Sequence, residues 1–257
     1  MNVRNKIIDS IIFGKPISFC KFGDGEYYCM IGNSGANCDK DAYTSKLSDS
    51  LKQSLIKFSY NENCYIGMWV NKEVVNYFNS LTNDMINYAC YHTFILSNGA
   101  INTCEGAEIL NVFKTIKHAK QKKIYICNYL MVRSKGLLNI DYLVHAPLNN
   151  WFDSHFDTIV EEVVELTNSE SNPIIMTSCG MGAKVLISRL LELIPNGIYL
   201  DIGSGLDFLC TKKESRGFIN TYDEVETLFK DLLPEDWNDE KYNTIFELAK
   251  IKLGTHL

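Results

Sequence analysis

Short apolar runs alternate along the chain with longer segments in which apolar residues recur every three or four positions. The short runs are rich in β-branched and aromatic residues and predict strands. The longer segments predict amphipathic helices with one apolar face. The predicted strands cover residues 17–22, 64–70, 93–97, 123–128, 142–145, 174–177 and 198–203. The predicted helices cover residues 43–58, 74–81, 105–120, 152–166, 183–193, 223–233 and 239–252, and a shorter helix or turn follows from Glu26.

This repeated order of strand and helix is typical of an α/β fold in which a mainly parallel sheet carries helices on both faces. The chain has 257 residues, a length between one and two average domains. No repeat period and no linker rich in Pro or Ser interrupts it. We therefore expect a single Rossmann-like domain over residues 1–257, with C-terminal helices of residues 223–252 packed on it.

The composition, with 46% hydrophobic and 22% charged residues, is that of an ordinary globular protein. Lys and Arg number 25 against 31 Asp and Glu, so the formal net charge is −6. The chain also lacks a long basic run, and this disfavours a nucleic-acid-binding protein. A negatively charged substrate would need local cations or a metal ion.

The nine cysteines include no CxxC pair, which argues against a disulfide framework and a zinc ribbon. Cys64, Cys127 and Cys179 lie beside apolar runs, where we expect reduced, buried thiols. Nowhere do about 18 apolar residues run together, and the N-terminus does not resemble a signal peptide. These features predict a cytoplasmic protein without a transmembrane segment and leave room for peripheral contact with a membrane.

The first candidate site is the sequence Phe22-Gly23-Asp24-Gly25-Glu26 at the end of the first predicted strand. In open α/β sheets, ligands bind outside the carboxyl ends of the strands. Asp24 and Glu26 could share one hard cation at the surface of such a crevice, and Gly23 and Gly25 would let a phosphate approach the backbone. The alternative is a tight turn in which Asp24 caps a helix and Glu26 occupies its first turn.

A second candidate site is the stretch of residues 178–184, SCGMGAK, between a predicted strand and a predicted helix. Ser178, Gly180 and Gly182 with the helix N-terminus would form a phosphate cradle, to which Lys184 adds a positive charge. The complete dinucleotide and Walker patterns are absent. The alternative is an ordinary strand-to-helix turn in which the glycines allow close packing.

The third candidate is the stretch of residues 201–207, which resembles the first motif of methyltransferases that use S-adenosylmethionine. That motif normally begins the nucleotide-binding half of the sheet, whereas here only about 50 residues follow it. Asp201 and Asp207 could instead face the same crevice as Asp24, and Asp207 could also be a helix N-cap. Arg133 and Lys135 are candidates for a diphosphate clamp or for solvated surface cations.

Two further groups complete the candidate chemistry. Trp151 begins a predicted helix and could stack on a base or a sugar ring. The five histidines show no ligand-like spacing, and we assign none to a metal. The identity of a general base stays open among Asp207, Asp153 and Glu105.

The FGDGE turn resembles the metal motif of the GT-D type glycosyltransferases. The resemblance continues through residues 133–136, 150–152, 174–184 and 199–203. Two positions depart from the family pattern: Lys21 stands where an arginine is expected, and Ser204 stands where histidine is frequent. The first departure keeps the charge but loses a bidentate fork.

The resemblance implies a divalent cation, Mn²⁺ or Mg²⁺, held by Asp24 and Glu26. It also implies a nucleotide-diphosphate sugar donor, such as a UDP-sugar, and transfer to a hydroxyl of a glycan, lipid-linked or protein-linked acceptor, as in hexosyltransferases. With Asp207, the two metal ligands form the expected catalytic set. The expected cofactor-binding residues are Gly23, Gly25, Arg133, Lys135, Ser178, Gly180, Gly182, Lys184 and Asp201.

Two other functions compete with this one. A methyltransferase built around residues 201–205 would bind S-adenosylmethionine, and a non-catalytic module would bind a nucleotide sugar without turning it over. The sequence leaves open the sugar, the acceptor, the stereochemistry, the oligomeric state and the pathway.

Overall fold

A computed structural model of the chain describes residues 2–69, 71–97, 99–168, 171–211 and 222–234. Within these residues, seven strands form one parallel sheet in the order β3-β2-β1-β7-β6-β4-β5. The strands are β1 (Ile17–Phe22), β2 (Cys64–Met68), β3 (Tyr88–Cys90), β4 (Lys123–Cys127), β5 (Tyr142–His145), β6 (Ile174–Ser178) and β7 (Ile198–Asp201). The α/β fold with a mainly parallel sheet is confirmed.

Helices fill most connections between the strands and also precede β1 and follow β7. They are α1 (Val3–Phe13), α2 (Asp24–Met30), α3 (Ser45–Ser59), α4 (Lys72–Thr82), α5 (Cys104–His118), α6 (Ser134–Leu138), α7 (Trp151–Ser154), α8 (Phe156–Thr167), α9 (Gly182–Leu193), α10 (Asp207–Thr211) and α11 (Tyr222–Phe229). Short 3₁₀ turns cover Tyr129–Met131, Gly203–Leu206 and Lys230–Leu232. Among the described residues, no helix has the length and apolar character needed to cross a lipid bilayer.

The central strands are buried on both faces, which explains their continuous apolar sequences. All residues of β1, β4 and β7 are buried. One core lies between the sheet and α1, α5, α6, α10 and α11. The other core lies between the sheet and α3, α4, α8 and α9. Cys64, Cys127 and Cys179 are buried as expected, and all nine cysteines are free.

The structure differs from the sequence-based elements in several places. Residues 93–97 are irregular and not a strand, because this apolar run belongs to the connection after β3 and packs its side chains into the core. The third strand is instead Tyr88–Cys90, which is too short and too exposed to carry an apolar pattern. Helix α1 is absent from the predicted elements, and the predicted helix 152–166 is interrupted at His155. The predicted helix 239–252 lies outside the described residues.

The connections between the strands open a crevice at the carboxyl ends of the strands. Strand β4 leads outward to β5, whereas its neighbour β6 leads back through α9 to β7. Connections that leave adjacent strands in opposite directions create a gap at the carboxyl ends. We therefore expect the principal ligand site at this edge.

Candidate functional site

A cavity of about 740 Å³ lies at the carboxyl edge of the sheet. Residues after every one of the seven strands line it, from Asp24 after β1 to Gly203 after β7. Its volume falls in the range of small-molecule sites. The lining includes eight of the candidate residues: Asp24, Gly25, Glu26, Ser178, Gly180, Lys184, Asp201 and Asp207.

The other four candidates are described residues that do not line this cavity. Gly23 is buried behind it, where a Cβ would lie 2.7 Å from the hydroxyl of Tyr91. Arg133 is buried and Lys135 is exposed. Gly182 lies against the ring of Trp151, and a Cβ on Gly182 would lie 2.7 Å from that ring. The structure therefore does not bring the expected Arg133–Lys135 clamp into the cavity.

A buried ion-pair network forms the floor of the cavity. The ammonium of Lys184 lies 2.9 Å from Glu26 Oε1 and 3.0 Å from Asp201 Oδ2. The same ammonium donates to the carbonyl of Gly180 at 3.1 Å. Asp201 Oδ2 also accepts from the backbone N–H of Lys21 at 3.0 Å. This network ties β1, β7 and the start of α9 together.

The network fixes the protonation of its members. Burial alone would lower the pKa of Lys184, but the adjacent Asp201 and Glu26 carboxylates raise it well above its usual value. Burial alone would raise the pKa of Glu26, yet the Lys184 ammonium and the Gly23 N–H lower it. Lys184 is therefore a charged structural partner of two carboxylates.

The first motif splits into one buried and one exposed carboxylate. Glu26 is 7% exposed and its Oε2 accepts from the backbone N–H of Gly23 at 2.8 Å. Asp24 is the first residue of α2 and is exposed. The expectation that both side chains lie at the surface is wrong for Glu26, because the side chain turns back to close the start of its own helix and reaches Lys184.

The turn after β6 is occupied by a carboxylate that sequence reasoning missed. Asp41 is buried, and its Oδ1 accepts from the backbone N–H of Asn150 at 3.1 Å. Its Oδ2 accepts from the backbone N–H of Met181 at 3.4 Å, at the N-terminus of α9. Gly180 has a φ of +68°, and a Cβ there would lie 2.2 Å from Asp41 Oδ2. Asp41 thus takes one of the backbone amides that the phosphate-cradle hypothesis gave to a ligand.

Trp151 is a packing residue in this structure. It is buried, and its indole Nε1 donates to the carbonyl of Cys179 at 2.7 Å. Since Gly182 lies against the same ring, the glycine permits close packing of α9 on α7. Gly182 therefore has the packing role that the sequence analysis gave as the alternative to phosphate binding.

The three candidates for a general base occupy different environments. Asp207 lines the cavity. Asp153 lies elsewhere, 3.7 Å from Lys46 Nζ, and Glu105 pairs with Arg4 at 2.8 Å. Of the three, Asp207 alone borders the cavity.

The cavity carries an excess of negative charge. Among the described residues, two lysines and six carboxylates line it: Lys21, Lys184, Asp24, Glu26, Asp39, Asp41, Asp201 and Asp207. Lys184 is already paired with Glu26 and Asp201. The ammonium of Lys21 lies 4.5 Å from the centre of the Tyr91 ring. An anionic ligand would consequently meet repulsion here unless it arrived with a cation.

Sequence reasoning missed Asp41 and two aromatic residues, Tyr28 and Trp69, that border the cavity. Asp41 lies in an irregular stretch closed by a single bridge between Ala36 and Ala42, so no element boundary marked it. Trp69 directly follows β2, and its place at a strand end could have identified it.

Comparison with solved structures identifies chains of the same fold. A glycosyltransferase (DUF1792) from Streptococcus sanguinis superposes with a TM-score of 0.57 at 18% identity, over 94% of this chain and 95% of that chain. A domain of unknown function 1792, described as having a distinct glycosyltransferase fold, gives a TM-score of 0.54 at 16% identity, over 93% and 92%. No family model and no curated protein matches the sequence. The glycosyltransferase-type fold expected from the FGDGE turn is confirmed.

Proposed function

We propose that this protein is a metal-dependent glycosyltransferase that transfers a sugar from a nucleotide-diphosphate sugar, such as a UDP-sugar, to an acceptor hydroxyl of a glycan. The observation that carries the proposal is the carboxylate-rich cavity at the strand ends of a glycosyltransferase fold. A diphosphate would meet an excess of carboxylates there. A divalent cation would supply the missing positive charge.

Two carboxylates of the FGDGE turn, Asp24 and Glu26, line the cavity, and among the described residues no group of three or more His, Cys, Asp or Glu side chains forms a metal site. Asp24 is exposed at the cavity and can offer both carboxylate oxygens. Each carboxylate oxygen of Glu26 has one hydrogen-bonding partner, Lys184 or the Gly23 N–H. Because a carboxylate has about four lone-pair positions, both oxygens can still accept a further ligand. Mg²⁺ in nucleotide-binding sites usually needs only one or two carboxylates, because phosphates and water complete its coordination. Asp24 and Glu26 would therefore hold the ion from one side.

The chain's own groups divide the remaining work. The bound ion would act as a Lewis acid on the departing diphosphate. Lys184 keeps Glu26 ionised and fixes its orientation. Asp207 would accept the proton of the attacking hydroxyl if the reaction inverts the anomeric centre, since it borders the cavity.

Calorimetric titration of UDP, with and without Mn²⁺, tests the donor and the metal together. We expect binding to the parent protein only with Mn²⁺, and no binding in Asp24→Ala. The matched control is Asp49→Ala, an exposed carboxylate on α3 that should bind as the parent does. Asp24→Ala that binds UDP and Mn²⁺ like the parent would show that the metal lies elsewhere.

A second titration, with S-adenosylmethionine, tests the methyltransferase alternative. We expect no binding, because Asp201 is only 1% exposed and its carboxylate is held by Lys184, the Lys21 backbone N–H and the Thr177 hydroxyl. Slow hydrolysis of a UDP-sugar by the purified protein then separates an enzyme from a binding module. Binding of UDP with Mn²⁺ but no release of sugar over long incubation would favour the module.

A further inference from the structure

Aromatic side chains are unevenly distributed around the cavity. The segments that follow β1, β2 and β3 contribute Tyr28, Tyr43, Trp69 and Tyr91 to its lining. From the segments after β4 to β7, Trp151 is the one aromatic among the described lining residues, and it is buried. We call the part of the cavity over β1 to β3 the aromatic half.

Two rings of the aromatic half are accessible to a ligand. Trp69 is 43% exposed and Tyr28 is 40% exposed. The Trp69 backbone is fixed, because its N–H donates to the carbonyl of Phe22 at 3.3 Å and its carbonyl accepts from Asn71 at 2.9 Å. Tyr28 is held on α2. Both rings therefore stand on ordered backbone at the cavity rather than on a long loop.

The polar neighbours of these rings restrict the chemistry of the ligand. Asp24, Asn37 and Asp39, which like Tyr28 follow β1, line the same cavity. A ligand must therefore offer an apolar face to the rings and hydroxyl donors to the carboxylates and the amide. A sugar ring has this combination of C–H faces and hydroxyl edges. A fatty acyl chain lacks the donors, and a phosphate without a bound cation would be repelled.

The opposite half suits the nucleotide better. It includes the gap between β4 and β6, where ligands of open α/β sheets bind, and the lining there contains Asn128, Ser178 and Ser204. Asp24 and Glu26, after β1, lie between this gap and the ends of β2 and β3 in the strand order. We propose that Trp69 and Tyr28 form the subsite for the acceptor saccharide. This inference rests on the proposed glycosyltransferase function.

The test measures saccharide binding in the absence of donor. Binding is detected by ¹⁹F NMR of protein labelled with 5-fluorotryptophan. The Trp69 resonance is identified by its loss in Trp69→Phe. Cellobiose, lactose and diacetylchitobiose are the probes, and we expect at least one to shift the Trp69 resonance while that of the buried Trp151 stays in place.

Two tyrosine variants sharpen this test. We expect Tyr28→Ala to weaken binding of that saccharide by about tenfold or more, the scale of stacking on an aromatic ring. Tyr60→Ala is the matched control, because Tyr60 is 64% exposed after α3 and lies away from the cavity. It should bind as the parent does. The absence of a Trp69 shift with all three probes would overturn the proposal.

A donor titration separates the two possible occupants of the rings. Trp69→Ala should bind UDP and Mn²⁺ with the affinity of the parent. Loss of UDP affinity in Trp69→Ala, with saccharide affinity unchanged in Tyr28→Ala, would overturn the proposal and assign the rings to the nucleotide base. A parent protein that binds saccharide but no UDP would contradict the proposed donor and leave the saccharide subsite in place.

Discussion

Two turns at the carboxyl edge of the sheet look alike in sequence and differ in structure. The β1 turn (residues 22–26) and the β6 turn (residues 178–184) each join a buried strand to a helix through two glycines. The β1 turn leaves Asp24 exposed at the cavity. At the β6 turn, the Asp41 carboxylate accepts from the backbone N–H of Met181, the N-cap residue of α9. A glycine turn before a helix is thus an anion site only if no side chain from elsewhere in the chain reaches its amides first.

The two turns are also joined to each other. Lys184, at the end of the β6 turn, pairs with Glu26 of the β1 turn. The cation expected to attract phosphate to one turn instead neutralises the carboxylate of the other. The comparison predicts that the two turns respond differently to substitution, which the following experiments measure.

Lys184→Ala should have the largest effect on stability. It would leave two buried carboxylates, Glu26 and Asp201, without their partner. Breaking a buried ion pair from one side costs about 3–5 kcal/mol, and the loss of a shared cation belongs at the upper end of that range. Urea denaturation measures the free energy of unfolding.

The control for this variant is Arg189→Ala, on the same helix. Arg189 is half exposed and pairs with Glu192 on the surface of α9. Its removal should change the free energy of unfolding by less than about 0.5 kcal/mol. Equal stability of Lys184→Ala and Arg189→Ala would show that the network does not link the turns.

Glu26→Ala and Asp24→Ala should separate stability from function within the β1 turn. Glu26→Ala removes the acceptor of the Gly23 N–H and one partner of Lys184, so we expect a loss of about 3 kcal/mol. Asp24→Ala changes an exposed residue and should stay within about 0.5 kcal/mol. Denaturation of both variants, beside titration with UDP and Mn²⁺, gives the two quantities. Equal destabilisation by the two changes would contradict the buried position of Glu26.

These differences show where sequence reasoning succeeds and where it stops. Strands such as β4 and β6 are continuous apolar runs, because parallel strands are covered on both faces. The exposed β3 and the buried loop at residues 93–97 reverse that rule, so the sequence-based assignment is wrong at both. Asp24 could be placed at a strand end from local sequence. The contacts of Lys184 and Asp41 join segments far apart in the chain, and no local pattern encodes them.

Replacing the glycines of the two turns by alanine should change the free energy of unfolding by intermediate amounts that differ between the turns. Gly180→Ala puts a side chain at positive φ and 2.2 Å from Asp41, and Gly182→Ala puts one 2.7 Å from Trp151. Strain at positive φ and overpacking each cost about 1–3 kcal/mol. Gly25→Ala in the β1 turn meets Asn37 at 3.1 Å and gains helix propensity, so it should be nearly neutral. Thermal or urea unfolding of the three variants ranks them, and a Gly25→Ala protein that is the least stable of the three would reverse the comparison.

The smallest expected effect is a difference in pH dependence between the two turns. Burial raises the pKa of Asp41, although hydrogen bonds from Asn150 and Met181 partly oppose it. The folded protein therefore binds this proton more tightly than the unfolded chain, whose ordinary aspartate pKa is 3.8. The contribution of Asp41 is fully present below that pH and is lost as the pH rises through its folded pKa.

Glu26 should show the opposite sign. Its pKa is lowered in the folded protein, so its contribution is present above the ordinary value of 4.5 and is lost as the pH falls. Asp41→Asn and Glu26→Gln remove these titrations, and the amide introduced by Asp41→Asn keeps an oxygen that can accept a backbone N–H. Urea unfolding from about pH 3 to pH 7 should give the parent-minus-variant difference as a curve that falls with rising pH for Asp41→Asn and rises with it for Glu26→Gln. If both differences changed in the same direction with pH, the two carboxylates would have similar environments. That result would contradict the difference between the β6 turn and the β1 turn.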